Sequence, residues 1–153
     1  MVTESINYMV GPNNAMDKRM LPVNAKYTTQ INSCFIEKAK KDTSNLFYDF
    51  NCTEKLAYAQ FKDNVLTGST EQITVKSKSN PDEDSVITRM VKPAMADFDH
   101  TFFTESWNYD AKSGVFSKTI NSIGVTESCY MVDPSTGEKI LKGFRCDFFS
   151  KLK

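Results

Sequence analysis

Two segments of this chain share one turn signal, Asp110-Ala111-Lys112-Ser113-Gly114 and Asp133-Pro134-Ser135-Thr136-Gly137, each bracketed by aromatic and β-branched residues. An Asp opens a type I turn by accepting backbone N–H groups ahead of it. A Gly four positions on supplies the positive φ that returns the chain as a second strand. Two such hairpins in series predict a three-stranded antiparallel meander, roughly Phe102 to Phe149. In its first strand Phe103, Glu105, Trp107 and Tyr109 fall on one face, expected to meet the core, and Phe102, Thr104, Ser106 and Asn108 on the other. The middle strand, Val115 to Val132, is long, and Gly124 near its centre marks a bulge or bend. In the last strand Ile140, Lys142, Phe144, Cys146 and Phe148 are expected to share a face.

Upstream of the meander the signals are shorter. Residues 1–27 carry Gly11-Pro12-Asn13-Asn14, Met16, Met20 and Leu21-Pro22 with no sustained period, which predicts an extended or irregular N-terminal arm. From Thr28 to Lys41 the apolar residues Ile31, Cys34, Phe35 and Ala39 recur at helical spacing, and Lys38, Lys40 and Lys41 suit a helix C-terminus. Leu46 to Phe50 and Leu56 to Phe61 read either as two strands or as a helix and a strand. Gln72 to Lys76 alternates as a strand. Ser77 to Ser85 is a polar surface loop, and Val86 to Val91 resumes a strand before Lys92-Pro93. The fold class is therefore α+β, with residues 28–153 forming one domain dominated by an antiparallel sheet and at least one helix in the N-terminal third.

A chain of 153 residues can bury a substantial core. Its 19 basic residues balance 19 acidic ones, so no field gathers a polyanion, and nucleic acid is not an expected partner. No stretch has the roughly 20 apolar residues of a membrane helix. The N-terminus has neither the basic nor the apolar region of a secretion signal, so the expected location is cytoplasmic, or extracytoplasmic if a signal has been removed. Cys34, Cys52, Cys129 and Cys146 lack metal-ligand spacing, and a tight Asp133–Gly137 turn sets Cys129 opposite about Leu141, out of register with Cys146. Free thiols follow. No cofactor or metal is expected.

The groups able to do chemistry gather at Asp97, Asp99 and His100, with Glu105 further on; His100 is the only histidine. Such residues could form a ligand site, a metal site or an acid–base pair, or simply stand solvated at a strand entrance. Asp82, Glu83 and Asp84 lack calcium-loop spacing. Asn51-Cys52-Thr53 fits the glycosylation pattern. Phosphate-cradling glycine loops are absent. The aromatic pairs Phe102/Phe103 and Phe148/Phe149 put a ring on each face of their strands, so one face needs cover from the rest of the chain or from another protein.

The run Glu105-x-Trp107-x-Tyr109-Asp110, followed by Ile120-x-x-Ile123-Gly124, the Asp133–Gly137 turn, Gly143 and Phe148, resembles the C-terminal part of the GldN/PorN proteins of gliding motility and type IX secretion. Leu46-Phe47 and Leu56-Ala57-Tyr58 resemble an earlier segment of that family. The chain departs from the pattern at Gly124-Val125, where a Pro would stand, and at Phe149, where a Trp would stand. The resemblance implies a periplasmic, non-enzymatic component that assembles with a lipoprotein partner into a ring under the outer membrane. The expected function is accordingly a non-catalytic assembly or interaction module, associating with a protein partner or itself through Phe102, Phe103, Trp107, Tyr109, Phe148 and Phe149. The alternative is a small ligand-binding protein or enzyme using Asp97, Asp99, His100 and Glu105.

Overall fold

Both Asp-to-Gly turns close in the same way in the computed structural model, which describes residues 1–12, 20–91, 93–133 and 135–152. Gly114 N donates to Asp110 O and Gly137 N to Asp133 O, each at 2.8 Å. Asp110 Oδ1 accepts from Lys112 N at 3.0 Å, and Asp133 Oδ1 from Ser135 N at 2.7 Å. The two glycines stand at φ +68° and +74°, where a side chain would strain the backbone. Asn13, Asn14 and Met16 of the expected arm, with Lys92 and Pro134, lie outside the described residues.

In chain order the elements are β1 (Val2–Gly11), β2 (Met20–Pro22), α1 (Ala25–Lys41), α2 (Tyr58–Phe61), β3 (Ser69–Lys76), β4 (Asp84–Val91), β5 (His100–Asp110), β6 (Val115–Val132) and β7 (Lys139–Lys151). The main sheet has the order β2-β1-β5-β6-β7, parallel only between β1 and β2. The fold is thus α+β, and its C-terminal strands form the expected meander. Residues 2–11 correct the expectation of a lead-in arm: β1 pairs with β5 from Val2 opposite Tyr109 to Val10 opposite Thr101. The two aromatic-rich segments adopt neither expected pairing in full. Phe47 only bridges Lys55 and Phe149, while Tyr58–Phe61 is helical and runs on as a π-helix to Thr67.

Helix α1 lies on the face of the sheet that carries Thr101, Val125 and Phe148. Asn24 caps its start by accepting from Lys26 N, and the basic Lys38, Lys40 and Lys41 close its end. Its buried residues are Thr28, Asn32, Ile36 and Ala39, whereas Cys34 of the expected stripe is exposed. The polar pair is buried because the chain entering β5, from Phe98 to His100, offers partners. Thr28 Oγ1 donates to Asp99 O at 2.5 Å, and Asn32 Nδ2 donates to Phe98 O and His100 O at 2.9 and 2.7 Å. Beneath the helix, Ile36, Leu46, Phe61, Phe98, Val125 and Phe148 form the core. Phe61 meets Phe148 edge to face at 5.2 Å. Burial of each large side chain contributes about 1.5–3 kcal/mol.

The opposite face is covered by the Phe50–Cys52 loop, with Phe50 O accepting from Ser122 Oγ at 2.9 Å, while Phe47 pairs along the edge of β7 through backbone hydrogen bonds of 3.0 and 2.9 Å with Phe149. Phe149 is 7% exposed and meets Phe102 edge to face at 5.7 Å. Gly124 lies under this contact. A Cβ there would stand 2.7 Å from both Cys146 Sγ and a Phe149 ring carbon, so glycine serves close packing. Pairing irregularities fall around it, between Thr104 and Glu105 on one side and between Val125 and Thr126 on the other.

Irregularities in the β6–β7 ladder, at Val125/Thr126 and Cys129/Tyr130, leave Asp147 and Lys142 as extra residues of β7. Each shifts the alternation by one. Phe148 therefore faces α1 while Cys146 faces the other way, which corrects the single face expected for the last strand. Cys129 pairs with Gly143 rather than Leu141, and all four cysteines are free. Apart from this body, β3 and β4 form a two-stranded ribbon whose register runs from Ser69 opposite Val91 to Lys76 opposite Asp84.

Candidate functional site

His100 opens β5 and is 1% exposed, with its ring 4.3 Å from that of Phe144. Its Nδ1 lies 2.7 Å from Asp99 Oδ1, and Ser128 Oγ donates to the same carboxylate oxygen at 2.7 Å. Burial works against the charge of Asp99, but these hydrogen bonds hold its carboxyl below the usual range. A carboxylate can only accept, so the Nδ1 proton points to Asp99. Ser128, histidine and aspartate are in contact here without the order that activates a nucleophile. The serine sits at the aspartate side of the ring, 3.4 Å from Nδ1, and its own proton goes to Asp99. Nε2 is buried and has no hydrogen-bond partner.

The other two members of the expected cluster are elsewhere. Asp97 lies in a single 3₁₀ turn, Met95–Asp97, where its Oδ2 accepts from Ala94 N at 3.3 Å. Glu105 is on the opposite face of β5 from His100. It is 1% exposed and accepts from Tyr8 Oη at 2.6 Å, Trp107 Nε1 at 2.7 Å and Lys118 Nζ at 3.4 Å. Burial opposes its charge, but the three donors hold the carboxyl below its ordinary range. Tyr8 is pushed up to about 12 by burial and by this carboxylate. Glu105 is thus fully engaged as the polar anchor of a neighbouring aromatic surface.

That surface is where β1, β5 and β6 run beyond α1. Val2, Trp107, Tyr109 and Phe116 are 59%, 38%, 46% and 55% exposed. Trp107 and Phe116 pack edge to face at 5.6 Å, and a shallow apolar hollow of about 260 Å³ opens among the four side chains and Glu4. The expectation that Trp107 faces the core is corrected, because α1 covers only the other end of this face. Phe148 and Phe149 are buried, and Phe103 stacks on Tyr8 at 5.5 Å. Of the six aromatics expected at a partner surface, Trp107 and Tyr109 are the exposed pair. Phe102 and Phe103 are half-buried.

A charged group formed by pairing across β6 and β7 was not anticipated from sequence. Arg145 Nη2 lies 2.6 Å from Glu127 Oε1, and Arg145 Nε lies 3.0 Å from Asp147 Oδ1. The side chain of Asp147 is fully buried, and its Oδ2 has no partner. Burial, reinforced by Glu127, pushes Asp147 up to about 7, and burial also raises Glu127 despite Arg145. The only local signal was the alternation Glu127, Cys129 against Arg145, Asp147, which has meaning only once the register is known.

No protein-family model matches this chain, and no curated protein matches it either. Among the described residues, no three His, Cys, Asp or Glu side chains are grouped to hold a metal, and no helix is long and apolar enough to cross a membrane. A polar cleft of about 250 Å³ between the Phe50–Cys52 loop and the sheet is lined by Asn7, Cys52, Thr104, Asn121, Ser122 and others. Its buried hydroxyls are already paired: Thr104 Oγ1 lies 2.5 Å from Ser122 Oγ, which donates to Phe50 O at 2.9 Å. Burial raises the Cys52 thiol, leaving it protonated and without nucleophilic activation.

Proposed function

We propose that this protein is a non-catalytic association module whose partner-binding surface is the aromatic end of the β1–β5–β6 sheet. The exposed cluster of Val2, Trp107, Tyr109 and Phe116 carries this reading. Contiguous exposed aromatics cost solubility in a free monomer, and Trp and Tyr are the side chains that anchor protein interfaces. Glu105, held by Tyr8, Trp107 and Lys118, fixes the indole in place before a partner arrives, which lowers the entropic cost of binding. The resemblance to the GldN/PorN proteins supports an extracytoplasmic bacterial assembly, in secretion or gliding machinery, as the setting.

The test is native co-purification from cells that make the protein, using the wild type, Trp107→Ser/Phe116→Ser and His100→Gln. The expected result is a partner retained by wild type and His100→Gln and lost with the surface variant. Identical partners and masses for all three, or specific turnover of a substrate, would overturn the reading.

A further inference from the structure

The ribbon of β3 and β4 is a separate two-stranded sheet that leaves apolar side chains open to solvent. Val86, Ile87 and Met90 are 62%, 45% and 66% exposed, and neither outer edge is paired among the described residues. A lone two-stranded hairpin is marginally stable in water, so a ribbon of this kind gains most from a further strand. The same chain presents a free edge. The end of β7 is occupied, since Phe149 bridges Phe47 and Lys151 N donates to Asn45 Oδ1 at 3.0 Å. From Lys139 to Cys146 the outer edge of β7 meets no strand among the described residues. This open stretch and β4 are both eight residues long.

We propose that copies of this chain associate by strand addition, β4 of one copy lying parallel to the open half of β7 in the next. A second copy is thereby named as a partner on the association reading above. Charge selects both the edge and the direction. β7 carries Lys139, Lys142, Arg145 and Lys151 against Asp147, whereas the outer stretch of β1 from Val2 to Tyr8 carries Glu4 alone. The ribbon's loop ends in Asp82-Glu83-Asp84, with Asp82 and Glu83 exposed. Parallel placement sets these acids beside Lys139 and Lys142, both exposed. The reverse placement would drive them into the end that Phe47 and Asn45 occupy. Lysines on a sheet edge repel indiscriminate strands and admit one that brings carboxylates. The contact joins two different surfaces, so each added copy still offers a ribbon at one end and an edge at the other.

Light scattering over a concentration series tests this with Lys139→Glu/Lys142→Glu and, separately, Asp82→Lys/Glu83→Lys. Thermal unfolding shows that each variant folds. Wild type is expected to gain mass with concentration, and each variant to associate about ten-fold more weakly because like charges now meet. An equimolar mixture of the two variants restores opposite charges at every contact and is expected to recover association. Wild type that stays monomeric to about 1 mM, well above micromolar affinities, overturns strand addition between copies. Unchanged association of the single variants, or a mixture that fails to recover, overturns it equally. None of these outcomes touches Trp107 and Phe116, whose own variants decide the association reading separately.

Discussion

Asn32 Oδ1 accepts a hydrogen bond from Thr101 Oγ1 at 2.9 Å while the same carboxamide donates to Phe98 O and His100 O where the chain enters β5, so one side chain locks α1 to the sheet. Asn32 and Thr101 are both 0% exposed. Asn32→Leu leaves a buried hydroxyl and two carbonyls without their partner. Each orphaned group costs about 1–3 kcal/mol, so the variant is expected to lose several kcal/mol in urea unfolding. Thr101→Val removes one group only and is expected to cost about 1 kcal/mol. Equal losses for the two would show that the carboxamide is not the lock.

Gly11 and His100 make a second fixed contact. A Cβ at residue 11 would stand 2.7 Å from both Cγ and Nε2 of the imidazole, closer than real carbon contacts allow. Gly11→Ala therefore pushes the ring against Phe144 and should destabilise by about 1–3 kcal/mol. His100→Ala in the same background opens the space, so the double variant should lose less than the sum of the singles. Additive losses would show that the two residues do not meet.

Asp147 predicts a direction for pH. Its carboxyl is pushed up from 3.8 to about 7 in the fold, so the folded state binds the proton more tightly than the unfolded chain. Stability from this group is present below the unfolded value and is lost as pH rises through the folded one. Asp147→Asn removes the penalty on the charged form. Its melting temperature relative to wild type is expected to rise between pH 4 and 7, by about 2–4 °C for each kcal/mol. A difference that stays flat or falls across that window would mean that Arg145 outweighs burial.

The two aromatic groups of the sheet should respond unequally to truncation. Phe148 is 1% exposed, and Phe148→Ala is expected to cost about 3–5 kcal/mol. Trp107→Ser/Phe116→Ser alters an exposed surface and takes one donor from the buried Glu105, so it is expected to cost about 1–3 kcal/mol, less than Phe148→Ala, while improving solubility. An equally large loss on the second variant would make Trp107 part of the core after all.

What could be read from the sequence was what residues do locally. The doubled turn was legible because Asp110 with Gly114, and Asp133 with Gly137, act within five residues. The position of α1 was legible from spacing, but its buried face was not. Thr28 and Asn32 go inside only because the carbonyls of Phe98, Asp99 and His100 await them. In β1 the alternation of Val2, Ile6, Tyr8 and Val10 with Thr3, Ser5 and Asn7 was present, and the Gly11-Pro12 punctuation masked it. Bulges at Lys142 and Asp147 reverse the parity of β7, which no periodicity reveals in advance. Asp99 and His100 adjoin in space as in sequence, and Glu105, five residues on, points away by the ordinary alternation of β5, whereas the Glu127–Arg145–Asp147 group emerges only from the register.

The most direct measurement is oxidative footprinting of Trp107 and Phe116, read peptide by peptide, in the purified chain at low concentration and in intact cells that make it. Trp107 is the only tryptophan, so its label is unambiguous. Labelling several-fold lower in cells, with the exposed Tyr27 and Tyr58 as internal references, is the result expected of an occupied association surface. Equal labelling of Trp107 and Phe116 in both samples would contradict it.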